Sequence, residues 1–270
     1  MPSATEITLQ QLMRLVGTPD APVLIDVCID EDFGADPRLI PGTIRWPFDR
    51  IEALAPSLAG RKVIVICQKG LKLSQGAAAL LRASGVSAET LKGGVLAWRD
   101  AGLPLIPANA IPTRDDQGRT LWVTRHRPKI DRIACPWLIR RFVDPNARFL
   151  FVAPSEVALV ADKFGAEPFD APGARFTHQG DGCTFDAMLE AFALNLPALK
   201  TMADIVRAAD TGRADEGAEA RGLMAISFGL SAMHRDDLAQ LEAGLGVYDA
   251  LYRWARDAQG ETHDRMPEAA

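Results

Sequence analysis

Two short apolar runs, VLIDV at Val23–Val27 and VIVIC at Val63–Cys67, do most to limit what this chain can fold into. Neither shows the alternation of a strand with one wet face, so both suit central strands covered on two sides. Helical stretches accompany them: LQQLMRLVG precedes the first and LSQGAAALLRASG follows the second. That alternation is the pattern of an α/β fold, a parallel sheet with helices on both faces. Ligands in open sheets of this kind bind outside the carboxyl ends of the strands, which singles out the polar loop that begins at Cys67. The helix after it is expected to run through Gln75 to Arg82, with Gly85 ending it in a left-handed conformation.

The pattern stops near residue 105, where PLIPANAIPTRDDQGRT breaks every period and reads as a linker. A chain of 270 residues has room for two cores, so we place a first domain over residues 1–110 and a second over 120–260. In the second, LWVTRH and ARFLFVAP read as strands. DRIACPWLIRRFV, TFDAMLEAFAL, LKTMADIVRAAD and the tail from ARGLMAISFGL through GVYDALYRWARD have helical spacing, which makes this domain mixed and mostly helical. Apolar residues in the tail, including Leu223, Met224, Ile226, Phe228, Leu230 and Met233, are read as packed helix core. His234 and His263 stand in polar surroundings and carry little weight.

A formal net charge of −5 supplies no electrostatic reason to expect nucleic acid as a partner. No stretch approaches the roughly 18 apolar residues of a membrane span, and the first residues lack a basic region followed by a long apolar one. We therefore expect a cytoplasmic protein without a membrane partner; no oligomeric state follows from the sequence. The four cysteines, at positions 28, 67, 135 and 183, form no C-x-x-C pair, so neither a zinc knuckle nor a disulfide scaffold is indicated.

Cys67 ends an apolar strand and opens CQKGLKLS, which leads into a helix. Backbone N–H groups at a helix start and in a tight glycine loop converge into an anion cradle, which favours a thiolate and can hold an anionic substrate. Lys69 and Lys72 add positive charge, and Gly70 lets the loop turn. The plainer reading makes Cys67 a buried strand-end thiol beside a solvated lysine face.

Four segments tip that balance. LIDVCIDEDF, LIPGTIRWP, CQKGLKLS and LKGGVLAWRDAGLPL, in this order, resemble the successive motifs of the rhodanese family. The resemblance implies a rhodanese-like α/β domain and a thiosulfate sulfurtransferase-type activity that needs no cofactor. Cys67 would carry sulfane sulfur as a persulfide. Gln68, Lys69, Gly70, Leu71, Lys72 and Leu73 would surround the outer sulfur, with Asp26 of the opening motif grouped among the substrate-binding residues. The cation falls five residues after the cysteine, as in rhodaneses. Lys72 replaces the family's arginine, a point charge in place of a planar fork. Leu73 takes its hydroxyl position, Leu39 stands where histidine is usual, and Cys28 where arginine is. Cys28 reads either as a redox or relay partner of Cys67 or as a small packed thiol.

TRHRPKIDRIACPWLIRRFVDPNARFLFV and GARFTHQGDGCTFDAMLEAF resemble the C-terminal domain of the chromate-resistance family. Their polar residues suit a metal: His178, Asp186, His126, Asp131 and Asp210 are the candidate ligands, for iron, manganese or zinc with an open position. In the alternative reading His178 and Asp181 cap the helix beginning near Thr184, while Asp131 pairs with Arg125 or Arg132. Arg132, Arg140 and Arg141 read as an oxyanion site or as the solvated edge of their helix, and Cys183, next to a helix start, as the more reactive of the two later cysteines. Together these readings give a persulfide sulfurtransferase joined to a chromate-resistance-type domain, with a small-molecule sulfur donor or an oxyanion as its partner. The competing readings are a chromate-responsive sensor whose loop binds an anion without turnover, and an adaptor with a silent rhodanese part.

Overall fold

The computed structural model describes residues 5–261; His263 lies outside them. The described residues divide into two compact units, one of residues 5–111 with 140–145, the other of 112–139 with 146–261.

The first unit runs β1 (Glu6–Ile7), α1 (Leu9–Leu15), β2 (Val23–Asp26), α2 (Asp30–Ala35), β3 (Arg38–Leu39), β4 (Thr43–Arg45), β5 (Lys62–Ile66), α3 (Lys72–Ala83), β6 (Ser87–Leu91), α4 (Gly94–Asp100) and β7 (Ile106–Pro107). Its main sheet has the order β1-β6-β5-β2-β4, and every pairing is parallel. The two unalternating runs occupy its interior: Ile25, Val63, Ile64, Val65 and Ile66 are fully buried. Burying each such side chain stabilises the fold by about 1.5–3 kcal/mol. Gly85 follows α3 with φ +81°, as the helix-stop signal requires. The 3₁₀ segment Phe48–Leu58 leaves no periodic signature in the sequence. Its Pro56 and short apolar spacing mask it.

The second unit runs β8 (Leu121–Arg125), α5 (Asp131–Leu138), β9 (Arg148–Val152), α6 (Val157–Phe164), β10 (Glu167–Pro168), α7 (Thr184–Ala191), α8 (Pro197–Asp210), α9 (Ala218–Met233) and α10 (Asp237–Asp257). A small parallel sheet of order β10-β8-β9 is accompanied by helices, and Trp122, Trp137, Phe169, Phe176, Phe185 and Tyr248 fill the interior. One expectation fails in α9. Leu223 is buried, but Ile226, Phe228 and Met233 are exposed, because the apolar residues ring this helix instead of forming one stripe.

The expected linker is also more ordered than its composition suggests. Arg114 bridges to Thr120, and the Asp115 carboxylate accepts from the Gln117 and Arg119 amides, closing a turn. No helix among the described residues is long and apolar enough to cross a membrane.

Candidate functional site

Cys67 follows β5 directly, at the carboxyl edge of the sheet and at the entrance to α3. Its side chain is buried, and its Sγ donates to Ser74 Oγ at 3.2 Å. The loop between them is held from behind. Cys67 O and Gln68 O accept from Val95 N and Leu96 N, at 3.1 and 3.0 Å, in the first turn of α4. Gly70 has φ +69°, and a Cβ there would lie 2.5 Å from Leu91 O and 2.8 Å from Gly94 N. Only glycine fits so close to backbone.

With its carbonyls tied down, the loop leaves its donors unused. Every backbone N–H from Gln68 to Ser74 lacks an acceptor among the described residues, and Leu71 at the N-cap of α3 supplies no side-chain cap. Lys69 and Lys72 are exposed and enter no ion pair among the described residues. These donors stand in the loop that leads from the thiol into α3, a setting suited to an anionic group.

Asp26 does not belong to this cradle. Its buried carboxylate accepts from Cys28 N at 2.8 Å and lies 3.9 Å from Arg45 Nε; burial raises its pKa against those contacts. A carboxylate so placed organises the end of β2 and holds no anion. Cys28, half-buried, has its thiol pushed up by burial and then by the Asp26 charge, which favours its protonated form. It faces a cleft of about 450 Å³ lined also by Ile29, Arg45, Trp46 and Phe48; Cys67 is not in that lining.

In the second unit a different chemistry gathers around His178. Its Nε2 lies 3.5 Å from Asp131 Oδ2, 3.5 Å from Asp170 Oδ1 and 3.3 Å from Asp210 Oδ2. Asp131 opens α5 and its carboxylate caps α7, accepting from Thr184 N at 2.7 Å and Phe185 N at 3.0 Å. Asp170, in the turn after β10 with φ +46°, receives Arg125 at 2.7 Å and Arg132 at 3.1 Å on Oδ2. Asp210 ends α8 and accepts from Asp131 N at 3.4 Å. Burial, then the charges of Asp131 and Asp170, lift the Asp210 pKa to about 6. The His178 pKa is raised by its contact with Asp131, against a smaller opposing effect of desolvation.

Family comparison decides what these two halves are. Residues 8–101 match the model described as a rhodanese-like domain, and residues 122–255 match the model described as ChrB, C-terminal domain. The chain is a rhodanese-like domain followed by a ChrB C-terminal domain. It is 37% identical over 171 residues to Protein ChrB of Cupriavidus metallidurans, covering 58% of this chain and 51% of that protein. The chain thus spans about half the length of the curated relative it matches. Among solved structures, a rhodanese-like domain protein from Staphylococcus aureus is 27% identical over 35% of this chain and 90% of its own, with a TM-score of 0.31. A rhodanese-related protein from Thermoplasma volcanium is 22% identical over 37% and 96%, with a TM-score of 0.33.

Within the ChrB-type domain the structure brings together three of the five residues proposed as ligands, His178, Asp131 and Asp210, and adds Asp170. Asp186 stands apart: it accepts from Cys183 N and pairs with Arg207 at 3.0 Å, the arginine neutralising it. His126 is exposed at the end of β8 and enters no such cluster among the described residues. The arginine partners expected for Asp131 take Asp170, so Arg132 is committed to a carboxylate and offers no oxyanion site. The α7 cap comes from Asp131, far back in the chain, in place of His178 or Asp181. Cys183 is buried, and burial together with Asp131 pushes its thiol up, which removes it as a reactive group.

Asp170 is hard to single out in the sequence because FDAPG looks like an ordinary turn. Its one signal was an Asp at a turn position tolerant of left-handed backbone.

Proposed function

We propose that the protein is a sulfurtransferase acting in chromate handling, with Cys67 of the rhodanese-like domain carrying sulfane sulfur. What supports this reading is the row of unused N–H groups from Gln68 to Ser74, in the loop that follows a cysteine whose own carbonyl is fixed by α4. The Cys67 thiolate attacks the outer sulfur of a donor such as thiosulfate. A Cys67 S–S bond forms, the donor's S–S bond breaks, and sulfite leaves with the bonding pair. The persulfide's terminal anionic sulfur is the group the loop amides receive; a thiophilic acceptor then removes it and regenerates the thiolate. The link to chromate rests on the ChrB-type domain that follows.

The test is a thiosulfate and cyanide assay on the full chain with Cys67→Ser beside it, together with intact mass after thiosulfate alone. Thiocyanate formation lost in the variant, with a one-sulfur mass increment in the unmodified chain only, supports the mechanism. Full activity in Cys67→Ser overturns it. Stabilisation by chromate without a persulfide increment would make the loop an anion receptor instead.

A further inference from the structure

The geometry points to a resident divalent cation of the manganese(II) or iron(II) class in the ChrB-type domain, ligated by Asp131, Asp170, His178 and Asp210. This is independent of the sulfur chemistry proposed for Cys67.

An imidazole nitrogen carries at most one proton and directs it at one acceptor, yet three carboxylate oxygens from separate elements surround His178 Nε2 at 3.3–3.5 Å. Equal spacing around one atom is poor hydrogen-bond geometry and good geometry for a shared centre. Ligand atoms about a cation at about 2.1–2.2 Å sit about 3 Å apart in cis positions and about 4.3 Å apart in trans. The candidate atoms of Asp131, Asp170 and His178 all lie within 4.8 Å of one another, so small rotations close them onto one ion; Asp210 stands outside that tighter group and reaches it through Oδ2, 3.3 Å from His178 Nε2.

The carboxylates are also held from outside, as ligands are. Arg125 and Arg132 both take Oδ2 of Asp170, while Oδ1, which also accepts from the Thr184 hydroxyl at 3.4 Å, faces His178. The amides of Thr184 and Phe185 orient Asp131, and such outer contacts fix a ligand's direction and charge. On the other side the cluster is open: the His178 side chain is 41% and that of Asp210 19% exposed, leaving room for water or a substrate.

Donor type selects the metal. Three carboxylates and one imidazole form a hard, oxygen-rich set. The neighbouring Cys135 is buried and gives its Sγ–H to Asp131 Oδ1 at 3.5 Å, so it packs behind a ligand carboxylate.

The experiment is Mn²⁺ titration of the chelator-treated full chain, followed by loss of the free-ion EPR signal, with His178→Ala, Asp210→Asn and His126→Ala alongside and circular dichroism to establish that each is folded. One Mn²⁺ per chain is expected. Binding should weaken by more than about 100-fold in the first two variants and stay unchanged in His126→Ala. Absence of stoichiometric binding, or equal affinity in folded His178→Ala and Asp210→Asn, overturns the site. Co²⁺ substitution giving the intense visible bands of a four-coordinate tetrahedral site, in place of the weak bands of a five- or six-coordinate one, overturns the assignment of cation class.

Discussion

Asp210 illustrates what a cluster of like charges does to the fold when no cation is present. Its carboxylate faces Asp131, Asp170, His178 and Arg132, and its pKa stands at about 6 against an ordinary 3.8. The folded state therefore holds this proton more tightly than the unfolded chain, and stability falls as pH rises from about 4 through about 6. A rise of that size corresponds to on the order of 2–3 kcal/mol. Asp210→Asn keeps an acceptor for Asp131 N and removes the charge, so the metal-free variant should melt higher than the unmodified chain at pH 7.5. At pH 4 the gain should nearly vanish; a variant less stable at pH 7.5 would defeat the argument. Single residues of this kind were only partly legible in the sequence. His178, Asp131 and Asp210 could be named from their type and polar surroundings. The exclusion of Asp186 could not, because its neutraliser Arg207 lies 21 positions on, and Asp170 could not, because a turn aspartate carries no mark of the arginines that find it in space.

At the scale of elements, glycines of one stretch of chain have opposite roles, and substitution separates them. Gly70 turns the Cys67 loop through left-handed backbone against the carbonyl of Leu91 and the amides of Gly93 and Gly94. Gly70→Ala should destabilise the rhodanese-like domain by more than about 3 kcal/mol and abolish sulfur transfer. Gly76 lies within α3, where an added Cβ would meet nothing within 4 Å, so Gly76→Ala should stabilise by about 0.5–1 kcal/mol. The urea midpoint at which Cys67 becomes reactive to a thiol reagent reads both effects, and changes of the same sign would contradict them. The elements were the most legible level. β2, β5 and α3 announce themselves through unalternating apolar runs and a helix with its stop glycine, and β8 and β9 through their apolar density. Short pieces such as β1, β7 and β10, two residues each, owe their existence to the strand beside them and leave almost no local signal.

For the whole molecule the relevant fact is where each site draws its residues. The loop around Cys67 is built from one compact unit, and the His178 cluster from the other. Within that second unit the cluster is strongly non-local. Asp131 and Asp210 lie 79 positions apart, and Asp170 and His178 come from the loops between them. An ion bound there ties the start of α5, the turn after β10, the approach to α7 and the end of α8 to one point. It binds the folded state and not the dispersed ligands of the unfolded chain. At a hundredfold excess over its dissociation constant it should add about 2.7 kcal/mol to the stability of what it joins. Hydrogen exchange with and without Mn²⁺ would read this directly. Slower exchange is expected in peptides covering 131–138, 167–186 and 205–211, where amides such as Thr184 and Phe185 already bond to a ligand carboxylate. Peptides from β5 through α3 should exchange as before. Protection spread evenly over both units, or confined to 62–83, would mean that the cation acts somewhere other than the His178 cluster.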